Sequence, residues 1–313
     1  MLMFSHSRKL KTEVGNWIYR NARSIDLSRW SFHFEHGCPE AVLNALSKYQ
    51  NGDGGFGHAL EADSWNPNSS PIQTWQATEI IHEIGYYDPD TPVTAGILKY
   101  LDSGADFNGK IWRCLVLSNN DYPHASWWQA EPDTIDQCTY NPTAALAGFG
   151  LLMADHNSEL YEKCSQIARE AFDHYMQRGP ENDMHTVRCY VRLYEYCELS
   201  DTHDVIDLCK LREKLDEDIK NQIDRDAKLW DTNGYFSRPS VFFNTPGSVF
   251  CEQNKDTAEL ECDLIIKTQN AEGVWDVPWN WTDYPNEWII SENWWKADIA
   301  VKNMLYLKNF GRL

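Results

Sequence analysis

Residues 48–56 of this chain read K-Y-Q-N-G-D-G-G-F, and the phrase returns at residues 267–275 as K-T-Q-N-A-E-G-V-W. Both copies fit the pattern K-x-Q-N-x-[D/E]-G-x-[aromatic] in the same register. Each copy follows a stretch with the apolar spacing of an α-helix, so the phrase is predicted to end a helix. A glycine just past a helix can adopt the left-handed conformation, and Gln and Asn amides can bond carbonyls that the helix end leaves unpaired.

A helix-ending turn that occurs twice indicates a chain of repeated helical hairpins. Apolar spacing predicts about ten helices. They cover residues 13–23, 39–49, 71–83, 91–101, 143–153, 160–176, 184–197, 205–223, 257–267 and 292–308. No segment between them alternates apolar and polar residues for long enough to require a sheet. We therefore predict an all-α fold, with residues 1–313 forming a single domain.

The repeated phrase resembles the QW motif of the terpenoid cyclase and protein prenyltransferase superfamily. The resemblance implies an (α/α) toroid, in which inner and outer helices surround a central cavity as a closed or an incomplete ring. The motif is a structural clamp, so it indicates a fold more strongly than a chemistry. The D-x-D-D acid and the D-D-x-x-D signature of the two classes of terpene cyclase are both absent from the sequence.

The composition excludes some partners. The net charge of -19, from 47 acidic and 28 basic residues, opposes binding to nucleic acid. No apolar run approaches the roughly 20 residues of a membrane-spanning helix, and residues 1–10 lack the apolar core of a signal peptide. The nine cysteines contain no C-x-x-C pair, and most of them are expected to be buried thiols in a reducing compartment. We expect a cytoplasmic protein.

The first candidate for chemistry is residues 58–63, which read H-A-L-E-A-D directly after the first glycine-rich turn. We predict His58, Glu61 and Asp63 as catalytic residues, because an imidazole beside two carboxylates can run general acid/base chemistry or hold a divalent metal. The alternative is that Asp63 or Ser70 caps the next helix, while His58 and Glu61 are solvated or paired.

A zinc site is the second candidate. Prenyltransferase β-subunits hold zinc with the Asp and Cys of a D-x-C segment and a later His, so the resemblance implies Asp136, Cys138 and His185 as ligands. These three side chains would leave one position of the zinc open for a thiol substrate or water. The chain departs from the family at Glu131 and Asp133, where the family has basic residues for the isoprenoid diphosphate.

Fourteen tryptophans make an aromatic cavity the natural expectation. The residues predicted to contact a substrate are Trp65, Trp127, Trp128, Trp279, Trp281, Asp283 and Arg188. A second echo, in which Trp is followed by Asp-Tyr-Pro and then Trp-Trp, covers residues 112–128 and 275–295. We interpret that echo as repeated turn geometry, with the lining of a cavity mouth as the alternative.

Together these features predict a cavity enzyme that acts on a small apolar or isoprenoid-like substrate. Two alternatives stay open. One is a glycan-active hydrolase or lyase with a carboxylate pair in a Trp-lined cleft. The other is a non-catalytic toroid that binds a ligand, a protein subunit or a second copy of itself.

Overall fold

The computed structural model describes residues 2–136, 140–230, 232 and 234–313, with side chains from residue 8 onward. Within these ranges the chain forms twelve α-helices and no β-strand, which confirms the all-α prediction for the described residues. The helices are α1 Leu2–Asn21, α2 Ser24–Phe34, α3 Pro39–Leu46, α4 Pro71–Ile84, α5 Pro92–Ser103, α6 Thr143–Met153, α7 Glu159–Gln177, α8 Met184–Leu199, α9 Leu208–Asp226, α10 Pro239–Phe242, α11 Lys255–Lys267 and α12 Pro285–Asn309. None of the described helices combines the length and the apolar character needed to cross a membrane.

Every helix that the apolar spacing predicts has a counterpart in the structure, but α2 and the single turn α10 were missed. Helix α2 was not predicted because its buried face includes Asp26 and Arg29, each 1% exposed, and these charges interrupt the apolar pattern. Helix α10 is four residues long, too short to show a period.

The chain divides into two compact units. The central unit is Leu46–Asp218, and the terminal unit combines Met1–Ala45 with Ile219–Leu313. Each unit is described by itself below.

Helix α6 is the core of the central unit, with every residue from Thr143 to Leu151 buried. Its glycines let neighbouring helices approach closely. A Cβ on Gly148 would lie 3.1 Å from the Cα of Leu193 in α8, and one on Gly150 would lie 2.3 Å from the Sγ of Cys164 in α7. Helices α4 and α5 also contact α6. Helices α4 and α6 are mostly buried, whereas α5 and α7 bury only one face, so helices of both kinds pack in this unit.

In the terminal unit, α12 contacts α1, α2 and α11. A buried charge cluster joins α2 to α12. The Nη1 of Arg29 donates to Asp298 Oδ1 at 2.7 Å and to Asp26 Oδ1 at 3.0 Å, and Lys302 Nζ lies 2.7 Å from Asp298 Oδ2. The elements nearest the two ends of the sequence are therefore packed together.

The first copy of the repeated phrase forms a closed turn. Gln50 Nε2 donates to the carbonyl of Gly54 at 2.9 Å. The backbone N–H of Asn51 donates to the carbonyl of Gly55, and the N–H of Gly54 donates back to the carbonyl of Asn51, each at 2.9 Å. Gly54 has φ of 96°, as a left-handed position requires.

The second copy makes the same three bonds, from Gln269 Nε2 to Gly273 O at 2.8 Å, from Asn270 N to Val274 O at 2.8 Å and from Gly273 N to Asn270 O at 3.0 Å. The φ of Gly273 is 88°. The sequence repeat is thus a structural repeat. One detail was wrong, because the Gln amides close their own turn instead of bonding the end of the preceding helix.

The second echo does not share a structure in its two copies. Trp127 and Trp128 lie in a short 3-10 turn, Ser126–Trp128, whereas Trp294 and Trp295 lie inside α12. The interpretation as repeated turn geometry is therefore wrong. Pro285 begins a long helix, while the corresponding Pro123 lies in a loop.

Candidate functional site

The loop of residues 57–70 pairs with the segment of residues 118–130 in the central unit. The N–H of Trp65 donates to the carbonyl of Pro123, and the N–H of Ala125 donates to the carbonyl of Asp63, both at 2.9 Å. These two backbone bonds hold the predicted catalytic loop against the loop that carries Trp127 and Trp128.

Buried amides fix both loops to the start of α4. Gln73 accepts from the N–H of Leu60 at 3.0 Å and donates to the carbonyl of Asn66 at 3.0 Å. The Nδ2 of Asn66, which is fully buried, donates to Ser118 Oγ at 2.8 Å and to Asn119 Oδ1 at 2.9 Å. Because each amide bonds two partners, the polar layer is stable without contact to water.

The three predicted catalytic residues occupy two environments. Glu61 and Asp63 are 8% and 3% exposed, and the N–H of Asp63 donates to Glu61 Oε2 at 2.9 Å. His58 is exposed, and its Nε2 lies 2.9 Å from Asn51 Oδ1. His58 and Ala59 both have left-handed φ, of 60° and 58°, which costs about 1–3 kcal/mol for each non-glycine residue.

Helix α4 begins with a cap that the sequence indicated. The Oγ of Ser70 accepts from the N–H of Gln73 at 3.3 Å, and Pro71 follows at the first helical position. Of the two caps considered, Ser70 is therefore confirmed. Asp63 lies further upstream in the paired loop.

A buried charge cluster links α4 to α8. Arg192 donates from Nε to Glu79 Oε1 at 2.8 Å and from Nη2 to Oε2 at 2.9 Å, and Arg188 Nη2 donates to the same Oε2 at 2.8 Å. Burial favours the protonated form of Glu79, but the two guanidinium groups outweigh burial and hold the pKa of Glu79 well below its ordinary value. Glu79 is therefore an ionised anchor for both arginines.

His82 and Tyr87 complete this cluster on the Arg192 side. Arg192 Nη1 donates to His82 Nε2 and to Glu195, and the remaining ring nitrogen, Nδ1, lies 2.8 Å from the Tyr87 hydroxyl. Burial, and next the charge of Arg192, lower the pKa of His82 to about 3. The imidazole is therefore neutral at physiological pH, and its Nε2 can accept the hydrogen bond from Arg192. The donors of Arg192 are thus paired within the protein, with Glu79, His82 and Glu195.

Arg188 differs from Arg192. Its guanidinium carbon lies 5.1 Å from the centroid of the Trp75 ring, a cation–π arrangement, and its side chain is 25% exposed. Its bond to Glu79 uses one N–H of the five that a guanidinium carries. Trp75 is 7% exposed, and its Nε1 has no hydrogen-bond partner among the described residues. Counting the described residues alone, Arg188 and Trp75 therefore present several donors without a partner in the amino-terminal parts of α8 and α4.

The zinc prediction is only partly covered by the structure, because Cys138 lies outside the described residues. Asp136 is exposed, and its Oδ1 accepts from Arg113 Nε and from Asn108 Nδ2, each at 2.8 Å. These hydrogen bonds lower the pKa of Asp136. His185 is exposed on the first turn of α8. No group of three metal-ligating side chains occurs among the described residues, and the zinc set stays a prediction.

Cys189 lies beside Arg188 on α8 and reaches the start of α6. Its Sγ donates to Asn141 Oδ1 at 3.5 Å. Burial, reinforced by the charge of Glu79, raises the pKa of the Cys189 thiol well above its ordinary value. The group is therefore a thiol at physiological pH and not an activated nucleophile.

The predicted tryptophan wall is divided between the two units. In the central unit, Trp65 and Trp128 are half-buried and Trp127 is 45% exposed. The other members, Trp279, Trp281 and Asp283, belong to the terminal unit. There Trp279 packs edge-on against Trp295, with ring centroids 5.2 Å apart, Trp281 is buried and Asp283 is exposed.

Two residues of this site were missed by sequence reasoning. Trp75 and Glu79 are four positions apart and therefore share a face of α4, which is the signal that was available. Arg188 was expected to contact a substrate, but its partner on α4 was not foreseen. Comparison with family models, with curated proteins and with solved structures gives no match for this chain.

Proposed function

We propose that the protein is a prenyltransferase-like or terpenoid cyclase-like enzyme that acts on a small, largely apolar or isoprenoid-like molecule with an anionic head group. The observation that supports it is the placement of Arg188 over Trp75, with one guanidinium bond to Glu79 and the other donors unpaired among the described residues. The proposal includes the (α/α) toroid. It is supported by the repeated turns and by the presence of both buried and half-buried helices.

The head group is assigned to Arg188 on chemical grounds. Arginine stays protonated under all ordinary conditions, and its planar fork binds carboxylate and phosphate oxygens with two parallel bonds. A site shielded from solvent strengthens such bonds, because the effective dielectric is lower than in water. Glu79 holds the guanidinium in place, and Arg192 balances the charge of Glu79, so Arg188 is left for a ligand.

The apolar part of the ligand is assigned to the aromatic residues near the start of α4. Trp75 offers a buried ring, and Gln73 ties the loop of Trp65 to this end of α4. Trp127 and Trp128 lie on the loop paired with it. Tryptophan supplies a large apolar surface with a single polar N–H, which suits a hydrocarbon chain with a polar end.

Glu61 and Asp63 remain the predicted acid and base. Both are buried on the loop that Gln73 anchors, and two neighbouring carboxyl groups can divide the roles of proton donor and proton acceptor between them. His58 would act only at the exposed edge of that loop. No step is assigned to zinc.

A glycan-active enzyme is less well supported. Glycosidases place their two carboxyl groups about 5–9.5 Å apart on opposite sides of the scissile bond. Glu61 and Asp63 belong to a single turn, in which the Glu61 carboxylate accepts from the Asp63 N–H. They cannot flank a sugar from two sides without a distant partner.

The test compares farnesyl diphosphate, farnesoic acid and uncharged farnesol by isothermal titration calorimetry. We expect the two charged probes to bind, and Arg188→Gln to weaken that binding by at least about tenfold, as loss of a charge-assisted bond predicts. The matched control is Arg169→Gln, which removes an exposed arginine 4.0 Å from Glu162. Glu61→Gln should abolish conversion of the bound isoprenoid probe, while leaving the affinity for that probe within about twofold of the wild-type value.

Three results would overturn the proposal. The first is absence of binding of all three probes, and the second is equal affinity of the Arg188→Gln and wild-type proteins. The third is Glu61-dependent binding of cello-oligosaccharides in place of the isoprenoids, which would favour the glycan-active alternative. Binding without turnover under any condition would favour the non-catalytic toroid.

A further inference from the structure

We propose that a basic groove on the terminal unit binds a compact polyanion, of the kind that an oligophosphate group presents. The groove has a volume of about 1290 Å³ and lies between α1, the carboxyl end of α2 and the end of α12. Its basic lining residues are Arg8, Lys9, Lys11, His33, His36 and Lys308, and its other described lining residues are Thr12, Glu13, Phe32, Phe34 and Leu313. The site is independent of the function proposed for Arg188, which belongs to the central unit.

The basic side chains of the groove have the opposite sign to the net charge of the chain. Four permanently charged basic side chains surround this one concavity, although the chain has a net charge of -19. Glu13 is the one acidic side chain among the described lining residues, and it lies 3.6 Å from Lys9. Among the described lining side chains, positive charges therefore outnumber negative ones, within a protein that is acidic as a whole.

Two of the lysines are held in place before any ligand arrives. Lys11 Nζ donates to the carbonyl of Phe34 at 2.8 Å, and Lys308 Nζ donates to the carbonyl of His33 at 2.7 Å. Both ammonium groups also lie over the Phe34 ring, at 5.9 Å and 5.5 Å from its centroid. Since the two carbonyls belong to the carboxyl end of α2, the helix dipole also favours cations here.

Each of these ammonium groups retains donors for a ligand. An ammonium has three N–H groups, and the contacts of Lys11 and Lys308 with the helix end use one each. Arg8 is exposed and has no ion-pair partner among the described residues. The anchored lysines supply donors in fixed positions, and the exposed guanidinium of Arg8 supplies donors that can adjust. Because two of the lysines are already ordered, binding of an anion costs little further side-chain entropy.

The ligand is compact because the surrounding protein is acidic. Charges are screened over about 8 Å at physiological ionic strength, so a long polyanion that extends beyond the groove meets the negative remainder of the chain. An oligophosphate fits within the positive region. Nucleic acid, which needs an extended basic track, is disfavoured by the same argument.

The test is isothermal titration of the full chain with inorganic tripolyphosphate, with orthophosphate and a 20-nucleotide single strand as comparison ligands. Tripolyphosphate should bind at 0.15 M salt, more tightly at 0.05 M, and at least about tenfold more tightly than orthophosphate because more charges are neutralised. The double variant Arg8→Gln, Lys9→Gln should raise the Kd for tripolyphosphate at least about fivefold. A fivefold change in Kd corresponds to about 1 kcal/mol of binding free energy. Both residues are exposed, so this variant should fold.

The matched control is Arg20→Gln with Lys228→Gln, which removes two exposed charges elsewhere on the same unit and should change the affinity by less than about twofold. An equal loss in test and control variants would show a diffuse charge effect and overturn the proposal. So would absence of tripolyphosphate binding at 0.05 M salt, tighter binding of the oligonucleotide, or loss of the binding in Arg188→Gln instead of the groove variant. A failure of the isoprenoid probes leaves these outcomes unchanged.

Discussion

Arg29 and Asp298 are 269 positions apart in the chain and form a buried ion pair, with 2.7 Å between Nη1 and Oδ1. Asp26 accepts from the same nitrogen, and Lys302 lies against the other carboxylate oxygen of Asp298. A buried ion pair adds little to stability compared with apolar side chains of similar volume. Removing one partner, however, leaves an uncompensated charge in the interior. The terminal unit therefore depends on this cluster being complete.

We expect Arg29→Met to lower the free energy of unfolding by about 3–5 kcal/mol, because Asp26 and Asp298 each lose a buried partner, which leaves Asp26 with Arg23 and Asp298 with Lys302. Urea denaturation followed by tryptophan fluorescence measures this loss. The control is Arg169→Met, which breaks an exposed pair and should cost less than about 1 kcal/mol. Similar losses in the two variants would contradict the role given to the cluster.

Stability should fall in acid, and Asp298 should account for part of the fall. Burial raises the pKa of Asp298, but Lys302 and Arg29 outweigh it and hold the pKa well below its ordinary value. The carboxylate is thus more easily ionised in the folded state than in the unfolded state, whose pKa is about 3.9. Its contribution is complete above that value and is lost as the pH falls towards the folded pKa.

The urea midpoint of the wild type should therefore decrease between pH 6 and pH 3, and the decrease should be smaller in Asp298→Asn, which has no carboxylate to titrate. Part of the decrease should persist in the variant, because the pKa of Glu79 is also lowered. Identical pH profiles in the two proteins would show that Asp298 does not titrate in this way.

The two copies of the repeated turn should differ in their contribution to stability. Gln50 Nε2 donates to Gly54 O and also to Val93 O beside the start of α5, each at 2.9 Å, whereas the bond of Gln269 Nε2 is to Gly273 O. At about 0.5–1.5 kcal/mol for each hydrogen bond, Gln50→Ala should cost about 1–3 kcal/mol and Gln269→Ala about half of that. Thermal and urea unfolding of the two variants provide the comparison, and a larger loss in Gln269→Ala would refute it.

Gly96 in α5 should not tolerate a side chain, although alanine is normally the better helix former by about 1 kcal/mol. A Cβ at this position would lie 2.2 Å from Gln50 Nε2, and the carbonyl of Gly96 faces Gly54 of the turn. We expect Gly96→Ala to lower the unfolding midpoint. Gly179→Ala is the control, because a Cβ there meets no atom within 4 Å. An unchanged or raised midpoint in Gly96→Ala would show that the turn can move away from α5.

The helices and turns were largely predictable because their signals are local. Apolar spacing over a few turns indicated α4, α6 and α8, and glycine in the repeated phrase indicated the left-handed positions at Gly54 and Gly273. The failure at α2 is equally instructive. Asp26 and Arg29 are on its buried face, where they pair with each other and where Arg29 also pairs with Asp298 of α12, a partner that is remote in the sequence.

The candidate site was predictable only in part. The loop with Glu61 and Asp63 was identifiable from the titratable residues that follow the first turn, and the role of Arg188 as a substrate contact stays a prediction. The pairing of Arg188 with Glu79 joins positions 109 apart, and the placement of its guanidinium over Trp75 is just as remote in the sequence. The sequence around Arg188 carries no local signal of Glu79 or Trp75, and the sequence around these two residues carries none of Arg188.

By itself, the sequence determined where ten of the helices lie, which turn is repeated and which overall charge the chain carries. These properties depend on residues within a few positions of each other, or on composition alone. The tertiary structure decided which charges are buried, which arginine lies over Trp75 and which lysines contact the carboxyl end of α2. Those outcomes depend on distances between side chains from separate helices, and burial changes the energy of a charge far more than its neighbours in sequence can.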